Sequence, residues 1–297
     1  MQTSYIPSHQ QEYTRGFILV LLAAFSYGLQ PFFAYFAYQA GADPIGLLFA
    51  RFSLAAILLL LWLKKRKISL PTPKLFAQTL LIGIGYAGAA LGYYSASHSA
   101  SVSLAVILMF SFPAFVTLYS ILFLAEKSSW SKIFSLVLAS SGVLLATGMD
   151  FHGDMAGIFW ALFAALSYGS AILYGTHKVP PQNPMASAGV ILVGGAVTFS
   201  VALMLQGADW PQSASGWFAI LGLALFATIL PIATFISGSP RIGASDAATL
   251  STLEPIVAVA IAVILIEESL SLTMLTGGTM VIIAAVILSK GKRPVKR

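Results

Sequence analysis

Two charged side chains stand inside long apolar runs: Arg51 in IGLLFARFSLAAILLLLWL and Glu254 in TLEPIVAVAIAVIL. A charge at bilayer depth costs about 2.5 to 3.5 kcal/mol on insertion scales, so each needs a partner, a water-filled cavity or, for the carboxyl, a proton. A carboxyl on a cavity can take up and release a proton, which makes Glu254 a candidate for coupling to a proton gradient. A hydrogen bond to a neighbouring helix is its structural alternative. Polar aromatics recur in several of the apolar runs. Tyr27, Pro31, Tyr35 and Tyr38 fall on one helical face with Gln30 beside them, and Tyr86, Tyr93, Tyr94, Ser97 and His98 follow at similar spacing. Tyr27, Gln30, Tyr86, Tyr93, His98, Trp160 and Tyr168 are expected to line a cavity that would suit a flat apolar ring with a polar head. Tyrosines near helix ends have a second reading as interfacial anchors, which applies to Tyr38 and Tyr94.

The elements carrying these residues are hydrophobic helices. The chain has 297 residues, 58% hydrophobic and 9% charged, with mean hydropathy +0.88, where soluble domains carry about a quarter charged residues. About 20 apolar residues cross the hydrocarbon core. Apolar runs bounded by charge, Pro or Gly predict ten spans: 15–38, 44–63, 74–95, 101–124 and 131–148, then 155–176, 185–205, 214–236, 245–266 and 272–289. The expected fold is therefore all-α and integral to the membrane. The polar start, Met1 to Glu12, lacks the pattern of a cleaved signal peptide.

Charge then orients the spans, because Lys and Arg flanking short loops stay on the cytoplasmic side. Alternate connections carry Arg15, Lys64 to Lys67 with Lys74, Lys127 with Lys132, Lys178, Arg241, and the tail from Lys290 to Arg297. The other five hold Asp43, His98, Asp150 with Asp154, Asp209, and Glu267 with Glu268, and no Lys or Arg. Of the sixteen basic residues only Arg51 falls inside a span rather than at or beyond its end. Both termini are expected in the cytoplasm, with 1–14 an N-terminal segment and 290–297 a basic tail.

The chain also repeats itself at an offset of about 141 residues. Gly16 followed by AAFSYG (Ala23–Gly28) matches Gly157 followed by AALSYG (Ala164–Gly169), and Pro113 with Glu126 matches Pro255 with Glu268. Each copy, 15–148 and 155–289, holds five spans, and an odd number makes the second copy enter from the opposite side. An inverted repeat can exchange conformations between its halves, the requirement for opening alternately to two faces. Pro113 and Pro255 each remove a backbone hydrogen bond from a helix and are candidate matched hinges; static kinks are the alternative.

These residues carry a resemblance to a known family. Arg51-Phe52, the stretch from Ser97 to Glu126 (SHSASVSLAVILMFSFPAFVTLYSILFLAE), and Leu253-Glu254-Pro255 through Glu267-Glu268 resemble the drug/metabolite transporter superfamily, in its two-copy EamA-type exporters, over essentially the whole chain. The resemblance implies ten helices in two inverted repeats, secondary transport of small metabolites, and residence in a bacterial inner membrane. The chain is most similar to exporters of aromatic amino acids. Two positions depart from the pattern: the glycine often found in the fifth helix of a repeat is Gly277 in the second copy but Ser135 in the first, and Ala284 stands opposite Gly142.

Other functions fit less well. There is no cysteine, and His9, His98, His152 and His177 are too scattered for a zinc motif, so neither a metal nor a cofactor is expected and an integral-membrane enzyme is disfavoured. Asp150, His152 and Asp154 read as a hydrated turn. No phosphate-binding GxxxxGK[ST] loop is present for direct ATP drive. A channel would need a continuous polar pore. A nucleotide-sugar or phosphate-ester exchanger should place several cations in its cavity, and Arg51 is the only candidate. The basic residues mark topology and form no face for nucleic acid. The expected partners are a small molecule, an amino acid or related metabolite, and membrane lipid, with a monomer sufficient for the task.

Overall fold

The computed structural model describes residues 9–123, 129–147, 155–180, 183–242, 247, 250–251 and 253–290. Of the features named above, Glu126, Lys127, Asp150, His152, Asp154, residues 1–8 and residues 291–297 lie outside this set.

Among the described residues the regular elements are all helical. Helices α1 (His9–Gly28) and α2 (Gln30–Gln39) form one apolar stretch interrupted at Leu29. They are followed by α3 (Pro44–Lys65), α4 (Pro73–Ser99), the broken pair α5 (Val102–Met109) and α6 (Phe112–Phe123), and α7 (Trp130–Thr147). Then come α8 (Met155–Lys178), α9 (Pro184–Gln206), α10 (Ala214–Ala224) joined through a π-helical turn (Leu225–Ile229) to α11 (Leu230–Ile242), α12 (Leu253–Leu265) and α13 (Leu272–Lys290). Seven of these segments, counting broken helices once, are long and apolar enough to cross a bilayer, and three shorter apolar ones accompany them: Trp130–Ala146, Leu253–Leu265 and Leu272–Ile287.

Local chemistry sets the helix starts. Pro44, Pro73 and Pro184 occupy the first turn, where a missing N–H costs nothing. Asp43 caps α3 by accepting from Gly46 N at 2.7 Å, and Asn183 caps α9 by accepting from Met185 N and Ala186 N. Large apolar side chains cover the exterior: Phe123, Trp130, Met204, Phe218 and Leu272 are all exposed, as a lipid-facing surface requires. The interior mixes large side chains such as Leu47, Leu59 and Phe199 with many small ones, Ala23, Ala161, Ala164 and Ala165 among them fully buried.

Small residues let the backbones touch. A Cβ added to Gly83 would lie 2.9 Å from the Cα of Gly194, so α4 meets α9 backbone to backbone. Gly142 of α7 and Gly277 of α13 stand against each other's carbonyls in the same way. The four glycines of α4 are packing residues: Gly83 meets Ile191 and Gly194, Gly85 meets Ala171, Gly88 meets Ser167, and Gly92 meets Trp160 and Ala164.

The helix pairs obey a pattern. Helix α4 packs on α8 as α10 and α11 pack on α2 and α1; α4 packs on α9 as α10 packs on α3; α5 and α6 pack on α8 as α12 packs on α1 and α2. Three further pairs, α3 with α9, α7 with α13 and α5 with α12, each join the two members of a matched pair. Exchanging the copies at the sequence offset thus turns every one of these packings into another of them or into itself.

Loops of like charge also gather at one end. Asp43 N donates to the carbonyl of Asp209 (3.2 Å) and Gln212 N to that of Ala40 (2.7 Å), while Glu268 lies on the start of α5 beyond Ser99. At the opposite end Arg241 Nε donates to Glu12 at 2.9 Å, and Glu12 also takes Arg15 at 3.3 Å.

Candidate functional site

Three breaks in helical geometry frame the site. Pro31 has no N–H for the turn before it, so α1 ends at Gly28 and α2 restarts after Leu29. Pro113 has the same effect on α5 and α6, with Phe110 and Ser111 forming the turn between them. The π turn at Leu225–Ile229 immediately precedes Pro231, and Leu230 N reaches back to Leu225 O in place of the usual α-helical partner. Such irregular backbone is tolerated at membrane depth where it is enclosed by protein or lines a cavity.

Arg51 bridges these elements. Its Nε donates to Thr228 Oγ1 in the π turn at 2.8 Å, and its Nη1 donates to the Tyr94 hydroxyl of α4 at 2.8 Å. The Tyr94 hydroxyl donates in turn to Gln30 Oε1 of α2 at 3.2 Å, and Thr228 Oγ1 donates to Leu223 O at 2.9 Å. The guanidinium carbon also sits 5.5 Å from the Phe52 ring centre and 5.4 Å from that of Tyr94, where each ring's π face favours a cation. Hydrogen bonds to a charged group contribute about 1.5 to 3 kcal/mol each, which offsets part of the cost of burying it. Arg51 is 6% exposed, Thr228 3% and Tyr94 0%.

Glu254 is different. It lies in the first turn of α12, and among the described residues no side chain or backbone group hydrogen-bonds its carboxyl and no ion pair within 4.0 Å joins it to Arg51. It is nevertheless within electrostatic reach of Arg51 and of the hydroxyls of Tyr27, Tyr93, Tyr94 and Tyr168. Tyr86 and Tyr168 stand edge to face at 5.0 Å with interacting hydroxyls, and Tyr168 stands edge to face with Phe112 at 4.6 Å. Tyr27, Tyr86, Tyr168 and Glu254 are partly buried and lie within electrostatic reach of one another.

Of the residues the sequence singles out, Tyr27, Tyr86, Tyr93, Tyr168, Arg51 and Glu254 are therefore brought together, and Gln30 joins them through Tyr94. Trp160 sits on the same α4–α8 seam, its carbonyl against Gly92. His98 stands apart, exposed in the last turn of α4 with its ring edge to face on Tyr38 at 4.7 Å. The anchor reading of Tyr94 is corrected: the side chain has no exposed surface and holds Arg51. Tyr38 reaches the same place from the side, donating to Tyr94 O at 3.1 Å. Thr228 and Phe112 were not legible as site residues. Thr228 carries no signal except its nearness to Pro231, and Phe112 reads as one more lipid-facing ring.

The candidate hinges occupy matched positions. A Cβ on Gly28 would come 3.1 Å from the carbonyl of Glu254, directly before Pro255; a Cβ on Gly169 would come 3.7 Å from that of Phe112, directly before Pro113. Gly28 and Gly169 are themselves partners in the repeat. Beside Pro255 lies an apolar crevice of about 270 Å³, lined by Ile107, Phe110, Val259, Met274 and Gly278 among others. At the far end of α12 a second carboxyl is fully engaged: Glu268 accepts from Ser101 Oγ, from Ser103 N at 3.1 Å and from Ser103 Oγ at 2.9 Å, at the start of α5.

Among the described residues no group of three or more His, Asp or Glu could hold a metal ion. The EamA-like transporter family model matches the chain twice, over residues 14–148 and 155–290. The chain is similar to the uncharacterized inner membrane transporter YedA of Escherichia coli K12, 26% identical over 87% of this chain and 86% of YedA. It is similar to the uncharacterized transporter YwfM of Bacillus subtilis, 27% identical over 57% of each chain, and to YcbK of the same organism, 23% identical over 90% of each. A crystal structure of a protein 19% identical has the same fold, with a TM-score of 0.60 over 94% of this chain and 96% of that one. With both copies of the family model matched and helices that can cross a bilayer many times, the chain belongs to the EamA-like transporter family and is a multi-pass membrane transporter, not an enzyme.

Proposed function

We propose that the protein is a secondary transporter of the bacterial inner membrane that exports small metabolites, amino acids including aromatic ones, by alternating access around the cavity between Arg51 and Glu254. In this reading ten helices form two inverted five-helix repeats with both termini in the cytoplasm. The exchange symmetry of the packings and the gathering of the acidic loops at one end support that arrangement. Pro113 and Pro255 serve as matched hinges, and the crevice beside Pro255 leaves α12 room to shift.

The observation that carries the reading is Glu254: a carboxyl in an apolar helix to which no described residue donates a hydrogen bond, within electrostatic reach of Arg51 and of Tyr27, Tyr93, Tyr94 and Tyr168. No described residue holds it there by a hydrogen bond, so a role in the transport cycle is the physical reason for tolerating its cost. The groups facing it are Tyr27 of α1, Arg51 of α3, Tyr93 and Tyr94 of α4 and Tyr168 of α8; α5, which packs on α12, contributes no titratable group. Proton exchange at Glu254 couples export to the proton gradient. One guanidinium with two of its donors committed is too little for a phosphate ester, which argues against the exchanger alternative.

The test is counterflow in proteoliposomes. Labelled phenylalanine or tryptophan should accumulate against an excess of unlabelled substrate and saturate, and its flux should depend on pH in the native chain but not in Glu254→Gln. Unsaturable flux would remove the carrier mechanism, and an unchanged pH profile in Glu254→Gln would remove the coupling role.

A further inference from the structure

The two charges of the site are each incomplete in a complementary way. A guanidinium has five N–H donors, and the two hydrogen bonds to Thr228 and Tyr94 leave three without a partner among the described residues, one on Nη1 and two on Nη2. Glu254 offers two oxygens that accept from no group among the described residues. They feel each other's charge, yet no ion pair within 4.0 Å closes the gap. Arg51 is also held in place: Thr228 and Tyr94 fix its fork from two sides, and Tyr94 is itself pinned by Gln30 and by the Tyr38 hydroxyl on its carbonyl. A clamped cation and a carboxyl that no described residue engages, within electrostatic reach of each other, can together hold a molecule carrying both charges.

We propose that the α-ammonium and α-carboxylate of an amino acid bridge this gap, the carboxylate on the free Nη groups of Arg51 and the ammonium on Glu254, as the specificity-determining contacts of the site. This rests on the amino-acid reading above. A simple anion would leave Glu254 unmatched and be repelled by it; a simple cation would meet the same fate at Arg51; a neutral molecule would leave both uncompensated in low dielectric. A zwitterion satisfies both and carries no net charge into the membrane interior. The Tyr86, Tyr168 and Phe112 rings, linked edge to face, form an apolar wall near Glu254 on which the amino acid's side chain can lie.

The experiment uses the full chain in lipid nanodiscs and competition for bound labelled phenylalanine by phenethylamine, which lacks the carboxylate, and 3-phenylpropionate, which lacks the ammonium. The native chain should prefer phenylalanine to each analogue by about tenfold or more, the worth of a charge-assisted hydrogen bond. Glu254→Gln should close the gap to 3-phenylpropionate and keep that to phenethylamine; Arg51→Gln should do the reverse. Both variants closing both gaps alike, or neither closing any, overturns the bridge while leaving the transport reading intact. Failure of the native chain to bind phenylalanine at all overturns the amino-acid reading and the bridge with it. Should Arg51→Gln not yield folded protein, the Glu254→Gln arm with both analogues decides alone, since only the bridge makes its two gaps respond differently.

Discussion

Glu254 and Glu268 flank the same helix and meet opposite fates. Glu268, just past the end of α12, accepts from two hydroxyls and a backbone N–H at the start of α5, where the helix dipole also favours an anion. Glu254, in the first turn of α12, accepts from nothing among the described residues. A carboxyl surrounded by donors belongs to the architecture: it fastens the second copy to the first at the end where the acidic loops lie. A carboxyl enclosed without donors subtracts from stability, and its presence has to be explained by what it does when a proton or a ligand arrives.

The largest effect that separates the two should be on flux. Glu254→Gln keeps the shape and removes the charge, so it should lower substrate counterflow about tenfold or more while leaving thermal unfolding of the purified protein unchanged or slightly raised, because no hydrogen bond is lost. Glu268→Gln should stay within about threefold of native flux, since the amide oxygen still accepts from Ser103. Equal losses of flux in the two variants would erase the distinction.

Much of the scaffold was legible because lipid imposes a simple rule: each apolar run of about 20 residues must close its own hydrogen bonds as a helix. Among the described residues a helix lies within each run where a span was expected, seven of them long enough to cross a bilayer and three shorter, and Pro31 and Pro113 break helices as their missing N–H dictates. The π turn was not legible, since Leu225–Ile229 contains no residue that forces it. The site was legible in part. Arg51 and Glu254 stood out because charge in an apolar run is costly, and the mid-span tyrosines because polar tips need company. Tyr94 was misjudged, since position along a helix says nothing of which neighbour's guanidinium waits across the seam. His98 satisfied the spacing but lies one turn beyond Tyr94, at the exposed end of α4, where spacing alone places no limit.

On stability the order of the two carboxyls reverses. Glu268→Ala orphans the Ser101 and Ser103 hydroxyls and the Ser103 N–H, at about 1 to 3 kcal/mol for each donor left dry, less what water recovers at a half-buried loop. It should lower the unfolding midpoint in detergent more than any substitution at Glu254. A smaller loss, about 1.5 to 3 kcal/mol, is expected for Tyr94→Phe, which takes one acceptor from Arg51 and one donor from Gln30. If Tyr94→Phe left the midpoint unmoved, Arg51 would not be the clamped cation described above.

The smallest effect is the most discriminating. Ser103→Ala removes one hydroxyl donor from Glu268 but keeps the backbone N–H, and Ser101 still donates, so the cost should be only about 1 kcal/mol. Its value lies in a double-mutant cycle. Ser103→Ala and Glu268→Ala act on one hydrogen-bonded cluster, so together they should cost less than the sum of their separate losses. Ser103, on α5 against Glu268, and Glu254, at the start of α12, share no partner among the described residues, so the losses from Ser103→Ala and Glu254→Gln should add to within about 0.5 kcal/mol. Additivity in the first pair would mean that the clasp contributes nothing to holding the copies together. Coupling in the second would mean that α12 transmits the state of one carboxyl to the other, and the division of the two into a structural and a functional group would no longer stand.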